Sequence, residues 1–137
     1  MFLAFLGVQC NTKKQITQTF NSPHIAFGQG GGFSGLKTEY ILLENGNLYK
    51  RNSGSKDFIA LKPFDKQFVG QIHRNIDFLN LKEIHCNDPG DLYYYVELHE
   101  KNNVHRMVWG KPGVKPDQKI VSFYNILFRS VKIRSNG

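Results

Sequence analysis

Cysteine is scarce in this chain, two among 137 residues, and that excludes a small fold stapled by several disulfides. Acidic residues are the second shortage. Eleven Asp plus Glu face eighteen Lys plus Arg, a formal net charge of +7, which favours anionic partners or simply keeps a protein soluble. A hydrophobic content of 40% excludes an intrinsically disordered chain, and the overall composition excludes a collagen-like chain and a polytopic membrane protein. Catalytic signatures are missing too: there is no H-R-D or D-F-G element, no Gly-Lys-Ser/Thr, and no histidine pair spaced H-x-H or i, i+4. The length fits one domain with a core of its own.

The chain starts with MFLAFLGVQ, Met1 to Gln9, apolar but for its last residue and uncharged, followed by Cys10 and then by largely polar residues. A bacterial lipoprotein signal has this form, because cleavage before the cysteine exposes an amino terminus whose thiol carries lipid. Gly7-Val8-Gln9-Cys10 resembles a lipobox, although Gln9 stands where Gly, Ala or Ser is usual. The reading is a signal over residues 1–10 with lipidation at Cys10, a flexible tether over 11–23, and a single domain over 24–137. It implies a cell-envelope address and a membrane partner reached through the anchor. The alternative is that Phe2, Leu3, Phe5 and Leu6 dock on the core as a terminal element and Cys10 is a plain thiol. A Cys10 to Cys86 disulfide would compete with lipidation.

From Ile25 onward, hairpin and helix signals alternate. Asn45-Gly46 sits between the apolar alternations Leu36 to Glu44 and Asn47 to Arg51, which predicts a type I′ hairpin with Leu43 opposite Leu48 and Leu42 opposite Tyr49. Pro63 and Asp65 then open a helix carrying Phe68, Val69, Ile72, Ile76 and Leu79 on one stripe. Asp88-Pro89-Gly90-Asp91 launches a second hairpin, Leu92 to His99 and Val104 to Gly110, whose turn at Asn102-Asn103 puts Leu98 opposite Met107 and Val96 opposite Trp109. A last helix begins at Pro116-Asp117 and buries Ile120, Phe123, Tyr124, Leu127 and Val131. The fold class is therefore α+β: an antiparallel sheet of two β-hairpins with two amphipathic helices on one face, in ββαββα order, with room for an extra strand at Ile25 to Gln29. Trp109 belongs under the helices.

Three constellations could carry chemistry. Gly30, Gly32 and Gly35 satisfy G-x-G-x-x-G as a string, but a strand follows where a dinucleotide site needs a helix, so a bulge or a close backbone approach is the better reading. The five histidines have no metal-ligand spacing, and neither a metal nor a cofactor is expected. His85, Cys86 and His105 could serve a small hydrolase-like enzyme, a cysteine nucleophile with a histidine base, although nothing in the sequence fixes the partner or the oxyanion donors. On the sheet face opposite the helices, Tyr93, Tyr95, His99 and Arg106 form an aromatic, basic surface. It suits a protein or glycan partner, cross-strand packing, or stacking of single-stranded nucleic acid, the last disfavoured by the envelope address and by the absence of an RNP-like string.

Taken in order, Gly31-Gly32-Phe33-Ser34-Gly35, Tyr40, Leu42 to Gly46 with Leu48-Tyr49-Lys50, Asn87-Asp88-Pro89-Gly90-Asp91, and His105 to Val108-Trp109-Gly110 before a final amphipathic helix resemble a group of small Bacteroidetes lipoproteins of uncharacterised function. The resemblance spans about residues 25 to 132 and implies an exported, lipid-anchored domain. It implies no catalytic residues. The function expected is that of a non-enzymatic binding or interaction module using the open sheet face.

Overall fold

The computed structural model describes residues 15–16, 20–33 and 35–135. Residues 1–10, with Cys10, lie outside them. Seven strands form one sheet: β1 (Gln15–Ile16), β2 (His24–Gly31), β3 (Lys37–Leu43), β4 (Leu48–Asn52), β5 (Phe58–Leu61), β6 (Leu92–His99) and β7 (Val104–Trp109). Two helices, α1 (Lys66–Phe78) and α2 (Gln118–Ser135), complete it. The strand order is β1-β5-β4-β3-β2-β6-β7, and every neighbouring pair is antiparallel.

The α+β class and the antiparallel sheet are present, but the element order differs from ββαββα: five strands precede α1. The strand read as an optional extra is the middle of the sheet. β2 pairs with β3 along one edge and β6 along the other, so Phe27 lies beside both Tyr40 and Val96. It joins the two hairpins into one sheet. Of residues 11–23, expected as a tether, Gln15–Ile16 pair with β5, and the Phe20 ring packs on Phe58 and Tyr49 at centroid distances of 5.0 and 5.1 Å.

Both hairpin registers differ from the expected ones, for different reasons. In β3–β4, Leu42 faces Leu48 and Ile41 faces Tyr49. The loop has three residues, Glu44-Asn45-Gly46, because the Leu43 N–H donates to the Asn47 carbonyl (2.9 Å) and the Gly46 N–H to the Leu43 carbonyl (3.0 Å). Gly46 takes φ +94° while Asn45 keeps a negative φ, so a type I turn closed by a glycine bulge replaces the type I′ turn. The longer loop also docks: the Gly46 carbonyl accepts from the Phe64 N–H at 2.8 Å. In β6–β7, Val96 faces Met107 and Tyr94 faces Trp109, two residues from the expected pairing. The Glu100 N–H donates to the Asn103 carbonyl (2.8 Å), which centres the turn on Lys101-Asn102. An even slip leaves every side chain on its face, so alternation could not detect it.

The main core lies between one sheet face and both helices. Ile25, Phe27, Tyr40, Leu42, Val96, Leu98, Met107 and Trp109 from the sheet meet Val69, Ile72 and Ile76 of α1 and Ile120, Phe123, Tyr124, Leu127 and Val131 of α2. The helical stripes are the ones that the 3.6-residue period selects. Asp65 caps α1 by accepting from the Phe68 N–H (2.7 Å), and Asp117 accepts from the Lys119 N–H (2.8 Å) at the start of α2. No helix among the described residues is long and apolar enough to cross a membrane. On the opposite sheet face a smaller cluster, Ala26, Ile41 and Phe58 with Phe20, Leu43 and Tyr49 against it, leaves charged and polar side chains around its margin.

Candidate functional site on the open sheet face

Tyr93, Tyr95, His99 and Arg106 do share the face away from the helices, but they are not an exposed aromatic platform. Tyr95 is 0% exposed. Its partner across β2 is Gly28, which has no side chain to displace the ring. Two cations roof it, with Lys37 Nζ 4.9 Å and the Arg106 guanidinium 5.4 Å from the ring centroid. The alternating pattern assigned the face correctly and said nothing of this cover. Tyr93 is half-buried over the Cα of Gly30, where a Cβ would overlap its phenol. His99 is half-buried, and Arg106 is exposed.

The buried phenol donates to Glu39 Oε2 at 2.7 Å. Burial and the Glu39 charge push the Tyr95 pKa far above the ordinary tyrosine value, so it stays a donor. The other carboxylate oxygen of Glu39 accepts from Arg51 Nη2 at 2.7 Å, and Lys37 Nζ lies 3.6 Å from Oε2. Burial alone would raise the Glu39 pKa; the Tyr95 hydrogen bond and the Lys37 and Arg51 charges more than offset it and hold the carboxyl below its usual range. Arg51 in turn stacks on Phe58, 4.5 Å from the ring centroid.

A second carboxylate, Glu97, sits between His99 Nε2 (2.8 Å) and Arg106 Nη1 (3.2 Å). His99 stacks on His24, its register partner, with centroids 4.1 Å apart and planes 15° from parallel. The Nδ1 of His24 donates to the Ser22 carbonyl at 2.7 Å, because a carbonyl can only accept. Burial lowers the His24 pKa, against that hydrogen bond, and the neighbouring His99 lowers it further.

These two shifts contribute to the acid response. His24 resists a proton that the unfolded chain accepts, so stability falls as pH drops through about 6.5. Ionised Glu39 adds stability above about pH 4.5, and that share disappears as pH falls through its lower folded value. Glu39→Gln should therefore cost about 1 to 3 kcal/mol at neutral pH, the range for a charged hydrogen-bonded group. It should also flatten the acid limb below pH 4.5. Urea unfolding across pH measures both; a parallel shift of the whole profile would contradict the role assigned to the carboxylate.

Between the two ion-pair groups lies a hollow of about 370 Å³. Ala26, Ile41, Phe20 and Phe58 supply its apolar surface, and the cations Lys37, Arg51 and Lys56, the carboxylates Glu39 and Glu97 and the rings of His24 and His99 its polar surface. Sequence reasoning missed Lys37, Glu39, Arg51, Lys56 and His24. The signal for Glu39 and Arg51 was present, since they are register partners across the first hairpin, but it was legible only with the three-residue turn.

The residues expected of an enzyme are differently placed. The His85 and His105 rings approach at 5.7 Å, edge to face, and His105 Nε2 bonds the Ile84 carbonyl at 2.8 Å. Cys86 turns to the core and donates to the Val108 carbonyl at 3.2 Å. Burial pushes its thiol pKa up and the Asp88 charge adds to this, the opposite of what activates a nucleophile. In a Cys10→Ser background, alkylation of Cys86 at pH 7.5 should be at least about tenfold slower folded than unfolded; equal rates would overturn the assignment. Among the described residues no group of three or more His, Cys, Asp or Glu is placed to hold a metal ion.

The glycine-rich segment is structural. Gly28 and Gly30 lie inside β2, and Gly31, with φ +79°, ends it where the chain passes the Asp91 carbonyl. Phe33 stands exposed beyond it. Compared with protein-family models and with curated proteins, the chain matches none.

Proposed function

We propose that this chain is an envelope lipoprotein, lipidated at Cys10, whose folded domain is a non-enzymatic binding module working through the open sheet face. The observation that carries the binding reading is the cation-rimmed hollow beside Glu39. Its ion pairs with Glu39 hold Arg51 and Lys37 in place before any partner arrives, which reduces the ordering cost of association. The apolar run ending at Cys10 and the resemblance to small Bacteroidetes lipoproteins support the address.

The hydrolase reading at His85, Cys86 and His105 loses support from a thiol turned to the core with a raised pKa. Binding of single-stranded nucleic acid loses its stacking platform with the Tyr95 ring covered. Two experiments test the proposal. Mass spectrometry of protein expressed in a bacterial host with its native upstream sequence should find an acylated Cys10 as the first residue, and an intact, unmodified Met1 form in the cytosol would sink the address. A pull-down from the native envelope should retain a protein or glycan partner with wild type and lose it with Lys56→Glu/Arg106→Glu; identical partners for both would refute the use of this face.

A further inference from the structure

We propose that the hollow on the open sheet face is a site for a small organic anion, a carboxylate or phosphate carried on one ring-sized apolar body; this rests on the binding-module reading above. Three cations line the hollow, Lys37, Arg51 and Lys56, against two carboxylates, Glu39 and Glu97, a surplus of one positive charge, and Arg106 pairs with Glu97 beside it. The carboxylates are committed. Glu39 has one oxygen on Arg51 and the other on Tyr95 and Lys37, and Glu97 is shared by His99 and Arg106. Lys56 has no ion-pair partner among the described residues, although it lines the hollow.

Arg51 is the preorganised element. Its guanidinium is fixed by the Phe58 ring at 4.5 Å and by one bond to Glu39 at 2.7 Å, while a guanidinium has five N–H donors in all. Donors held in place in this way favour the paired geometry of a carboxylate or phosphate. Lys56 adds a point charge. The floor of Ala26, Ile41 and Phe58 is apolar and matches a ring face rather than a fully hydrated ion. A volume near 370 Å³ is at the small end for ligand sites. It selects one ring rather than a long chain. An adjoining hollow of about 210 Å³ shares Lys37, Glu39 and Arg51 and is edged by Asn52, Ser53 and Ser55, which offers hydroxyl and amide groups to polar substituents on the same ligand.

The test titrates the folded protein with benzoate, phenyl phosphate and inorganic phosphate up to about 10 mM, the range in which a millimolar site saturates. Amide shifts in a ¹H–¹⁵N spectrum report the binding. Saturable shifts at Ile41, Arg51, Phe58 and His99 are expected with at least one aromatic anion, and inorganic phosphate should bind about tenfold more weakly for want of the apolar contact. Which aromatic anion binds tells carboxylate from phosphate. Lys56→Ala removes an exposed, unpaired side chain and should weaken binding about fivefold or more with the fold unchanged. Arg51→Lys keeps the charge but not the fork and should weaken it as well. No saturable shift with either aromatic anion, shifts confined to other surfaces, or unchanged affinity in Lys56→Ala overturns the proposal. If the anions fail while Lys56→Glu/Arg106→Glu still loses an envelope partner, the ligand class falls and the binding face stands. If that variant keeps its partners too, both fall.

Discussion

Gly31→Ala should destabilise the domain by about 3 kcal/mol or more, combining the roughly 1 to 3 kcal/mol of a non-glycine residue in an unfavourable backbone region with a steric term of similar size. Gly31 has φ +79°, and an added Cβ would overlap the backbone carbonyl oxygen of Asp91. Neither side can yield cheaply. The Asp91 carbonyl already accepts from the Gly32 N–H at 2.8 Å, and the Gly31 N–H donates to the Leu36 carbonyl at 3.1 Å. Both bonds hold the end of β2, the strand on which each half of the sheet depends. Gly35→Ala is the matched control: its φ is +64° but among the described residues nothing lies within 4 Å of its added Cβ, so only the backbone term of about 1 kcal/mol should remain. Urea unfolding of the two variants separates strain from contact. Equal midpoints would mean that the close approach to Asp91 carries no energy.

This pair of glycines also shows where sequence reasoning stops. As a string, Gly28 to Gly35 is a loop or a phosphate cradle; in the fold its first half is a strand that lets two neighbours come close. Gly28 lies tight against β3 at Thr38, and Gly30 makes way for Tyr93. A glycine leaves no side-chain pattern from which a strand could be read, so the centre of the sheet was legible only as an optional strand over Ile25 to Gln29. The helices were legible because burial on one stripe repeats over several turns; Ile120, Phe123, Tyr124, Leu127 and Val131 are all buried.

The candidate site was half legible for a related reason. Alternation along β6 put Tyr93, Tyr95, Glu97 and His99 on one face whatever the register. Which side chains cover that face is decided by neighbouring strands. Lys37 and Glu39 come from β3 and Arg51 from β4, and the relative position of these strands depends on a turn type that Asn45-Gly46 alone does not determine. An error of one residue in the turn separated Glu39 from Arg51, and with them went the ion-pair group that encloses Tyr95.

Trp109→Ala should cost about 3 to 5 kcal/mol, the usual range for deleting a large buried aromatic. Trp109 is 6% exposed and sits on β7 beneath α2, edge-on to Tyr124 at 5.3 Å and stacked with Tyr94 at 6.1 Å. Tyr124 stacks in turn on Phe128 at 5.6 Å. Removing the indole therefore opens a cavity where α2 meets the second hairpin. Collapse into it is resisted because β7 is held on both sides, by its ladder to β6 and by the Asp88 N–H bond to the Val108 carbonyl at 2.9 Å. With total stabilities of about 5 to 15 kcal/mol for single domains, this one change removes at least about a fifth of the margin. Trp109→Phe keeps most of the ring area and should cost less than half as much. The chain has one tryptophan, so emission reports on this site alone: a blue-shifted maximum is expected in the native protein, moving red in step with loss of helix signal during unfolding. Emission of a fully solvated indole in the native state, or a Trp109→Ala variant as stable as wild type, would show that α2 does not close over the second hairpin.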